Sequence, residues 1–405
     1  MAQRDVMGIE THIAIVGGGA SGLAAAFAAA RTGAKVAILE KLPRVGKKIL
    51  ATGNGRCNLG NAFGGLSRYH GTVDVSALSS ALFREAEFFQ SMGLWLSPPD
   101  KEGRLYPHSE QASAVLDALR MACKTHGVQE VTAFHVQDIE RLSEGFLVKA
   151  KTGARITAKG VILATGGLAG PKFGSTGDGH ALARKLGHSV TDCYPALAPI
   201  PVEAKLVRPL KGLRVLAEVT AYQTGKQVGK TRGQVQFTDV ALSGICVFDL
   251  AAYRPDTLAL NLLPWCEDPF ALVLQIAALR HDAPLEDMLT GLFPKRIGQM
   301  LIKDCTDLSL SSPVSALGRG NLEDLARLMT DWRFPAFPAQ NWDTAQATAG
   351  GVTGIKATLE SPRIPGLYFA GEILDVHGDC GGYNLAWAWA SGTVAGENAA
   401  RGLGL

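Results

Sequence analysis

The sequence feature that most constrains this chain is a glycine pattern near its N-terminus. A short apolar run, residues 13–16, ends in the spacing G-x-G-x-x-G, and the three glycines are Gly17, Gly19 and Gly22. In a nucleotide-binding βαβ unit the first glycine permits a tight turn, the second lets the backbone approach a pyrophosphate, and the third lets the helix pack against the strand. The pattern therefore predicts a buried parallel strand, a phosphate-binding turn and a helix that begins near Ala20.

The residues that follow complete such a unit. An alanine-rich helix over residues 23–31 and a turn at Gly33 lead into a second apolar run, residues 36–39, which ends in Glu40. An acid at this point of a βαβ unit faces the ribose hydroxyls of an adenosine. Glu40 disfavours a 2′-phosphate, so NADP is not expected here, while FAD and NAD both remain open.

Composition narrows the class of protein. The chain has 405 residues, of which 47% are hydrophobic and 19% charged, as in a folded globular protein of two or three domains. No stretch approaches the ~20 apolar residues of a membrane span and the N-terminus has no apolar signal core, so no membrane partner is expected and the cytoplasm is the expected location. The seven cysteines form no C-x-x-C pair, so neither a disulfide framework nor a metal site is expected.

A basic, glycine-rich loop follows Glu40. Residues 41–61 contain five Lys or Arg and no acid. Directly beyond a phosphate-binding turn, such a loop can close over an anionic cofactor with cations and backbone amides. We expect Lys41, Lys47, Gly53 and Asn54 to contribute in this way. A solvated surface loop is the alternative.

Beyond this loop the pattern changes between helix and strand. Residues 76–92 and 110–126 have the spacing of amphipathic helices, and residues 128–156 that of a small antiparallel meander. A buried strand at residues 161–164 then ends in a Thr-Gly-Gly turn, and a helix restarts near Asp178. This turn is a second place where the backbone can pass close to a cofactor.

A region of different composition interrupts this pattern. Residues 195–268 are predicted to form a β-rich insert and residues 269–341 a helical insert. Within the first, residues 203–232 carry seven Lys or Arg and two acids. Such a cluster can attract a polyanion such as RNA, but charge runs are more often solvated faces, and both interpretations remain open.

The last segment has the same order of buried strand, glycine turn and helix as the first. A buried strand within residues 366–370 is followed by a Gly-Glu turn, an acid at Asp375 and a helix that begins near Tyr383. The predicted fold class is therefore α/β. A discontinuous Rossmann-like domain is made of residues 1–194 and 342–405, and the β-rich and helical subdomains are inserted into it.

Four motifs together resemble a bacterial family of FAD-binding flavoproteins. The motifs are GGGASGLAAA, GKKILATGNGRCN, LATGG with GSTGDG, and PGLYFAGEILDVHGDCGGYNLAWAWASG. The family includes aminoacetone-oxidase-like enzymes, the BaiN flavoproteins that act on bile-acid enones, and the RdsA flavoenzymes that make dihydrouridine in ribosomal RNA. The resemblance covers nearly the whole chain and implies FAD as the cofactor, but it implies no single reaction.

The resemblance also implies where the cofactor is bound. The residues implied at the pyrophosphate are Gly17, Gly19, Ala20, Ser21 and Gly22. Glu40 and Val136 are implied at the adenosine, and Ala164, Thr165 and Gly166 close to the cofactor. Gly371 and Asp375 are implied at the ribitol and second phosphate, and Asn384 and Leu385 near the flavin ring.

The chemistry is carried by the flavin, so the protein supplies positioning and a proton donor. Cys380 and Tyr383 are candidate proton donors, although a cysteine beside two glycines is more often a space-filling residue. Three functions remain open: an FAD-dependent oxidoreductase for a small amine or an activated C=C bond, an RNA-modifying flavin reductase, and a non-catalytic flavin-binding module. No second G-x-G-x-x-G lies in a strand-helix frame, so NAD(P)H would act as a transient reductant. The oligomeric state is left open.

Overall fold

The computed structural model describes residues 7–405. These residues form two compact units. The first unit comprises the chain up to Pro195 together with Trp342–Leu405, and the second is Ala196–Asn341.

Short strands and helices alternate along the chain. In chain order the strands are β1 (Met7–Val16), β2 (Val36–Leu39), β3 (Gly60–Asn61), β4 (Tyr69–Gly71), β5 (Arg104–Leu105), β6 (Gln129–Val131), β7 (Val136–Arg141), β8 (Phe146–Ala150), β9 (Arg155–Leu163), β10 (Tyr194–Ala196), β11 (Ile200–Pro201), β12 (Arg214–Gln223), β13 (Lys226–Phe237), β14 (Ala241–Ser243), β15 (Thr257–Asn261), β16 (Trp332–Pro335), β17 (Ala347–Ala349), β18 (Leu367–Phe369) and β19 (Val376–Gly378). The α-helices are α1 (Ala20–Ala30), α2 (Glu85–Gln90), α3 (Ala112–Thr125), α4 (Asp178–Lys185), α5 (Ala204–Val207), α6 (Ile245–Phe248), α7 (Pro269–Leu279), α8 (Lys295–Cys305), α9 (Arg319–Thr330) and α10 (Tyr383–Arg401). Single 3₁₀ turns connect several of them, among which Ile49–Gly55 and Gly371–Ile373 lie near the site described below.

The first unit is built on a seven-stranded sheet. Its order is β6-β2-β1-β9-β8-β7, and β18 also pairs with β9. The strands β6, β2, β1, β9 and β18 run parallel, whereas β8 and β7 are antiparallel additions. Ile13, Ile15 and Ile38 are fully buried, as expected for parallel strands that are covered on both faces. This sheet confirms the predicted α/β class with a Rossmann-type core.

The C-terminal helix α10 lies directly against α1. A Cβ atom at Gly392 would lie 2.4 Å from the carbonyl oxygen of Ser21, and one at Gly396 would lie 2.3 Å from that of Ala25. Only glycine permits so close an approach of two backbones. As a result, the two ends of the chain share one core, and the start of α10 lies at the same cleft as the start of α1.

Two expectations for the first unit are wrong. The helix expected over residues 76–92 is reduced to α2, because the backbone at Phe83 adopts φ 62° and ends regular structure there. The strand β6 does not join an antiparallel meander but pairs parallel with β2. The sequence of a three-residue strand does not indicate which strand it pairs with or in which direction. The pattern therefore predicts pairing of β6 with the strands that follow it in the chain.

The second unit contains a six-stranded antiparallel sheet of order β11-β14-β13-β12-β15-β16. The expected boundary between a β-rich and a helical insert is wrong at one point, since β16 lies within the segment predicted to be helical and forms the edge of this sheet. Trp332 and Phe334 are buried and alternate with exposed residues, a period-two pattern too short to be recognised beside three helices. No helix within residues 7–405 combines the length and the apolar character needed to cross a bilayer.

Candidate active site

A cleft opens in the first unit at the carboxyl ends of β1, β2 and β9, where it is lined by Val16, Leu39 and Ala164. Open α/β sheets bind their ligands at this edge. The empty volume of the cleft is about 1180 Å³, part of it open to solvent. Its lining extends from the end of β1 to the start of α10, as the binding of an extended ligand such as a dinucleotide requires.

Most of the predicted cofactor contacts line this cleft. They are Gly17, Gly19, Ala20, Ser21, Glu40, Lys41, Lys47, Val136, Ala164, Thr165, Gly166, Asn384 and Leu385. The predicted contacts outside the lining are Gly22, Gly53, Asn54, Gly371 and Asp375, together with the candidate proton donors Cys380 and Tyr383. The lining also contains Arg44 and Lys48 of the predicted basic loop, together with three charged or titratable residues that the sequence did not predict there, His135, Asp178 and Glu372.

The three motif glycines meet different steric constraints. Gly17 has φ 105°, and a Cβ there would lie 2.5 Å from the carbonyl oxygen of Ala164. A Cβ at Gly22 would lie 1.9 Å from the carbonyl oxygen of Gly17, which no backbone shift of ordinary size relieves. By contrast, a Cβ at Gly19 would meet nothing within 4 Å. The space in front of Gly19 is therefore open to the cleft, where a ligand can approach the backbone.

The start of α1 is prepared for an anion. Its first-turn amides have no acceptor within the helix, and no acidic residue lies in that turn. The helix dipole adds a partial positive charge at this end. Together with the open space at Gly19, this arrangement fits a phosphate group.

Glu40 is held in one orientation at the end of β2. Its Oε2 accepts a hydrogen bond from the Gly18 amide at 2.8 Å, and its Oε1 accepts one from the Leu42 amide at 2.8 Å. Each carboxylate oxygen retains a further lone pair. Glu40 can therefore accept hydrogen bonds from ribose hydroxyls without losing the backbone bonds that position it.

The rim of the cleft is joined by contacts between two loops. Lys41 Nζ lies 2.8 Å from Asp178 Oδ2 and 2.6 Å from Thr176 Oγ1, and His135 Nε2 lies 3.2 Å from the same carboxylate oxygen of Asp178. Burial raises the pKa of Asp178, but the hydrogen bond and charge of Lys41 outweigh it and hold that pKa below its ordinary value. Lys47 Nζ donates to the carbonyl oxygen of Lys172 at 2.8 Å. Both predicted cations thus lie at the cleft, and both bind protein groups across it.

A second ion pair lies within the lining. Lys48 Nζ is 2.8 Å from Glu372 Oε2, and the other oxygen of Glu372 accepts a hydrogen bond from the Thr348 amide at 2.8 Å. Lys48 belongs to the basic loop and Glu372 to the turn after β18, so the pair connects the beginning and the end of the chain beside the cleft.

Three of the predicted contacts that lie outside the lining are Gly53, Asn54 and Gly371. Gly53 and Asn54 both have φ 55°, which produces the tight turn within the 3₁₀ segment Ile49–Gly55. The Gly371 amide donates a hydrogen bond to Ser391 Oγ at 2.9 Å. A Cβ at Gly371 would lie 2.3 Å from the Oγ of Ser21. These residues support the cleft through the course of the backbone.

The start of α10 contains the other predicted groups. The side chain of Asn384 accepts from the Gly378 amide at 2.9 Å and donates to the Gly378 carbonyl at 2.8 Å. Tyr383 is buried, and its carbonyl oxygen accepts a hydrogen bond from the Tyr69 hydroxyl at 3.1 Å. Cys380 is half-buried. A proton-donor role for Cys380 or Tyr383 stays a prediction.

A polar cluster lies on the ribbon formed by β4 and β19, where the sequence places His377 and Asp379 near the predicted flavin ring but gives no signal for the contacts of Arg68 and His70. His70 Nε2 lies 2.7 Å from Asp379 Oδ1, and Arg68 lies 3.2 Å from the other oxygen of Asp379. His377 lies directly opposite His70 in the register, with ring centroids 5.3 Å apart. Asp375, at the start of this segment, accepts a hydrogen bond from the hydroxyl of Thr72 at 2.8 Å. We call His70, His377 and Asp379 the histidine cluster.

The residues present fit an FAD molecule. An open backbone approach at Gly19, an unsatisfied helix start and an oriented acid at Glu40 occur in the order of pyrophosphate and adenosine ribose. The same cleft continues to Asn384 and Leu385 at the start of α10. In residues 7–405 no group of three or more His, Cys, Asp or Glu residues is arranged to hold a metal ion.

Comparison with known proteins decides the family. Residues 11–398 match the family described as HI0933-like protein Rossmann domain. The chain belongs to this family. A relative from Clostridium scindens, the 3-dehydro-bile acid delta(4,6)-reductase, is 38% identical over 411 residues, which cover 96% of this chain and 99% of the relative. The ribosomal RNA dihydrouridine synthases of Escherichia coli and Haemophilus influenzae are each 29% identical and cover 93% of this chain and 95% of each relative.

The protein is an FAD-dependent oxidoreductase. This conclusion rests on the family and its reductase members together with the cleft described above. It confirms the predicted family and enzyme class and the predicted cofactor FAD. It also removes the non-catalytic flavin-binding module from the alternatives.

Proposed function

We propose that this protein reduces a C=C bond conjugated to a carbonyl group in a small lipophilic ketone. The observation that carries the proposal is the full-length similarity, at 38% identity, to a protein named as a 3-dehydro-bile acid reductase. A reduced nicotinamide nucleotide is the proposed electron donor, and it binds transiently. The cytoplasmic location remains a prediction.

FAD supplies the hydride chemistry when it is bound. The chain itself binds and orients the cofactor. The amides at the start of α1 and the open backbone at Gly19 bind the pyrophosphate, and Glu40 binds the adenosine ribose. The contacts of Lys41 with Asp178 and of Lys47 with Lys172 join the chain segments at this end of the cofactor.

The start of α10 performs the corresponding task at the other end of the cleft. Asn384 is locked by two hydrogen bonds to Gly378, so its own backbone has a defined position. The partial positive charge at a helix start favours negative charge that develops on a neighbouring group. Asn384 and Leu385 therefore provide a fixed polar contact for the flavin ring.

The test is anaerobic reduction of the purified protein with NADH and with NADPH, followed by reoxidation with defined acceptors. A 3-oxo-4,6-diene bile acid should reoxidise the reduced flavin stoichiometrically in the absence of oxygen. Reoxidation only by oxygen, with formation of hydrogen peroxide in the presence of a primary amine substrate, would instead favour amine oxidation. Failure of every enone to reoxidise the flavin would overturn the proposal.

A second candidate, reduction of uracil in ribosomal RNA, is favoured by one surface. The outward face of β12 and β13 exposes Arg214, Lys230 and Arg232. The charge of this region is partly neutralised, since Lys205, Lys211 and Lys230 pair with Glu203, Asp239 and Glu218. The relatives at 29% identity are named as RNA-modifying enzymes, which supports this reading less strongly than the bile acid reductase supports the first.

The two candidates differ in their dependence on this surface. Changing Arg214 and Arg232 to Gln should lower the salt dependence of RNA binding by about two units of slope if both contact phosphates. The matched control is Lys205→Gln, because Lys205 already pairs with Glu203 at 2.7 Å. Turnover of a small enone should be unaffected by all three changes. Absence of RNA binding by the parent protein would remove the second candidate.

A further inference from the structure

His377 is a buried polar side chain that no contact in the described structure satisfies. It is 6% exposed, and neither ring nitrogen has a hydrogen-bond partner within residues 7–405. A buried donor or acceptor without a partner lowers the stability of the folded protein, because it has lost its hydrogen bonds to water. Native proteins retain such groups rarely, and a ligand contact is one of the explanations.

The surroundings of His377 determine which ligand it fits. Burial, reinforced by the neighbouring His70, lowers the pKa of His377 to about 4, although Asp375, Asp379 and Glu372 act in the opposite direction. The imidazole is therefore neutral near pH 7 and offers one N–H donor and one nitrogen acceptor. The three nearby acids disfavour an anionic ligand, so a neutral hydrogen-bonding group such as a carbonyl fits best.

The rest of the histidine cluster holds the opposite ring in place. Burial raises the pKa of Asp379, but hydrogen bonds from His70 and Arg68 outweigh it and keep this carboxylate charged. His70 is therefore anchored by Asp379 on the strand that faces His377. Because His70 is about one-third exposed and His377 is buried, the cluster reaches from the surface into the unit.

The cluster is attached to the wall of the cleft. Gly378 follows His377, and both backbone polar groups of Gly378 bind the side chain of Asn384, which lines the cleft. A Cβ at Gly378 would lie 2.5 Å from the Cβ of Tyr383, so the strand and the start of α10 are in contact. His377 is therefore the sequence neighbour of a residue whose backbone binds a side chain of the cleft wall.

We propose that His377 binds the carbonyl oxygen of the substrate by donating a hydrogen bond from its imidazole N–H. This inference rests on the proposed function, which requires a C=C bond conjugated to a carbonyl. A donor at this oxygen stabilises the negative charge that develops there during reduction of the bond. His70, held by Asp379, is a positioning residue that keeps the imidazole of His377 in place.

The experiment measures a binding preference with oxidised, FAD-loaded protein. Equilibrium dialysis compares a saturated 3-oxo bile acid with the same ring system lacking the 3-oxygen, and an unchanged absorbance of oxidised flavin shows that the ketone is not dehydrogenated during the measurement. The parent protein should prefer the ketone by about tenfold, the value of one buried hydrogen bond. His377→Leu should abolish the preference, and His377→Gln, which keeps an N–H donor, should retain part of it.

A structural role for His377 predicts a different outcome. General damage to the site weakens both compounds together and leaves their ratio unchanged. If His377 instead binds the substrate, His377→Leu should leave the melting temperature of the free protein unchanged or raise it, because the change removes two nitrogens that have no partner within the described residues. The matched control is His188→Leu. His188 is also buried, and one of its ring nitrogens, Nε2, forms a hydrogen bond with Ser361 Oγ at 2.7 Å while Nδ1 has no partner within the described residues. Loss of the Ser361 bond should lower the melting temperature and leave the ketone preference intact.

The inference and the proposed function fail in separable ways. Reoxidation of reduced parent protein by the diene, combined with an unchanged ketone preference in His377→Leu, would overturn the role of His377 alone. Equal binding of the two compounds by the parent, or binding of neither, would also overturn it. Failure of the diene to reoxidise the flavin would overturn the proposed function.

Discussion

Glu40 and His377 are both buried polar side chains of the first unit, and they are satisfied in opposite ways. Both carboxylate oxygens of Glu40 accept backbone hydrogen bonds at 2.8 Å. Neither ring nitrogen of His377 has a partner within the described residues. Glu40 is therefore fully positioned before a ligand arrives, whereas His377 leaves two buried nitrogens without a partner in that part of the chain.

This difference is the one we expect between a cofactor site and a substrate site. A cofactor that stays bound through many turnovers benefits from a rigid, preorganised cradle. A substrate that must enter and leave supplies the missing hydrogen bond only while it is bound, and the free protein tolerates the unsatisfied group at some cost in stability.

The largest effect is expected from Gly22→Val. A Cβ at Gly22 would lie 1.9 Å from the Gly17 carbonyl oxygen, so β1 and α1 cannot keep their packing. We expect the free energy of unfolding to fall by at least about 4 kcal/mol, the range of severe core disruption. Urea denaturation of the apo form measures it. A loss below about 1 kcal/mol would show that the glycine turn is not the rigid element described here.

The next effect concerns a buried carboxyl group, that of Glu85. Glu85 packs so closely against the backbone of Gly60 that a Cβ at Gly60 would contact its carboxylate. Burial raises the pKa of Glu85 to about 7, against hydrogen bonds from backbone groups of Glu85 and Phe83. Because the unfolded carboxyl loses its proton near pH 4.5, the folded state binds more protons between pH 4.5 and 7, and stability falls as pH rises through this window.

Comparison with Glu85→Gln isolates this contribution from other titrating groups. The parent protein should lose about 3 kcal/mol relative to the variant between pH 4.5 and 8, from a pKa difference of about 2.5 units. The measurement is the free energy of unfolding of both proteins across that range. Parallel curves would contradict burial of a neutral carboxyl at this position.

A smaller effect is expected from Gly19→Val, the same substitution three residues before Gly22. The backbone at Gly19 is in the extended region and a Cβ meets no protein atom within 4 Å, so stability of the apo form should change by less than about 0.5 kcal/mol. The side chain would occupy the approach of the pyrophosphate, and FAD affinity should fall about a hundredfold. FAD content after dialysis measures it, with Lys295→Ala as a surface control. Equal FAD content in both variants would contradict the placement of the phosphate.

The nucleotide-binding unit was predictable almost to the residue. The helix was expected to begin near Ala20 and the last one near Tyr383, and α1 and α10 begin at these residues. Three glycines, an apolar strand and an acid occur within 28 consecutive residues, so the constraints are local and reinforce one another. The positions of individual cofactor contacts remain predictions until the bound complex is measured.

The histidine cluster could not be predicted in the same way. His70 and His377 lie on two three-residue strands that pair with each other, although they are more than 300 residues apart in the chain. Neither strand is long enough to produce a periodic pattern, and a lone histidine carries no signal of burial. The edge strand β16 was missed for the same reason, since four residues beside three helices do not establish a period of two.

The central claim is that separate sets of residues hold the cofactor and the substrate carbonyl. The most direct test measures FAD content and ketone preference in one preparation of His377→Leu beside the parent. We expect the FAD content of His377→Leu to equal that of the parent while its preference for the 3-oxo compound disappears. Loss of FAD in step with the preference, or retention of both, would contradict it.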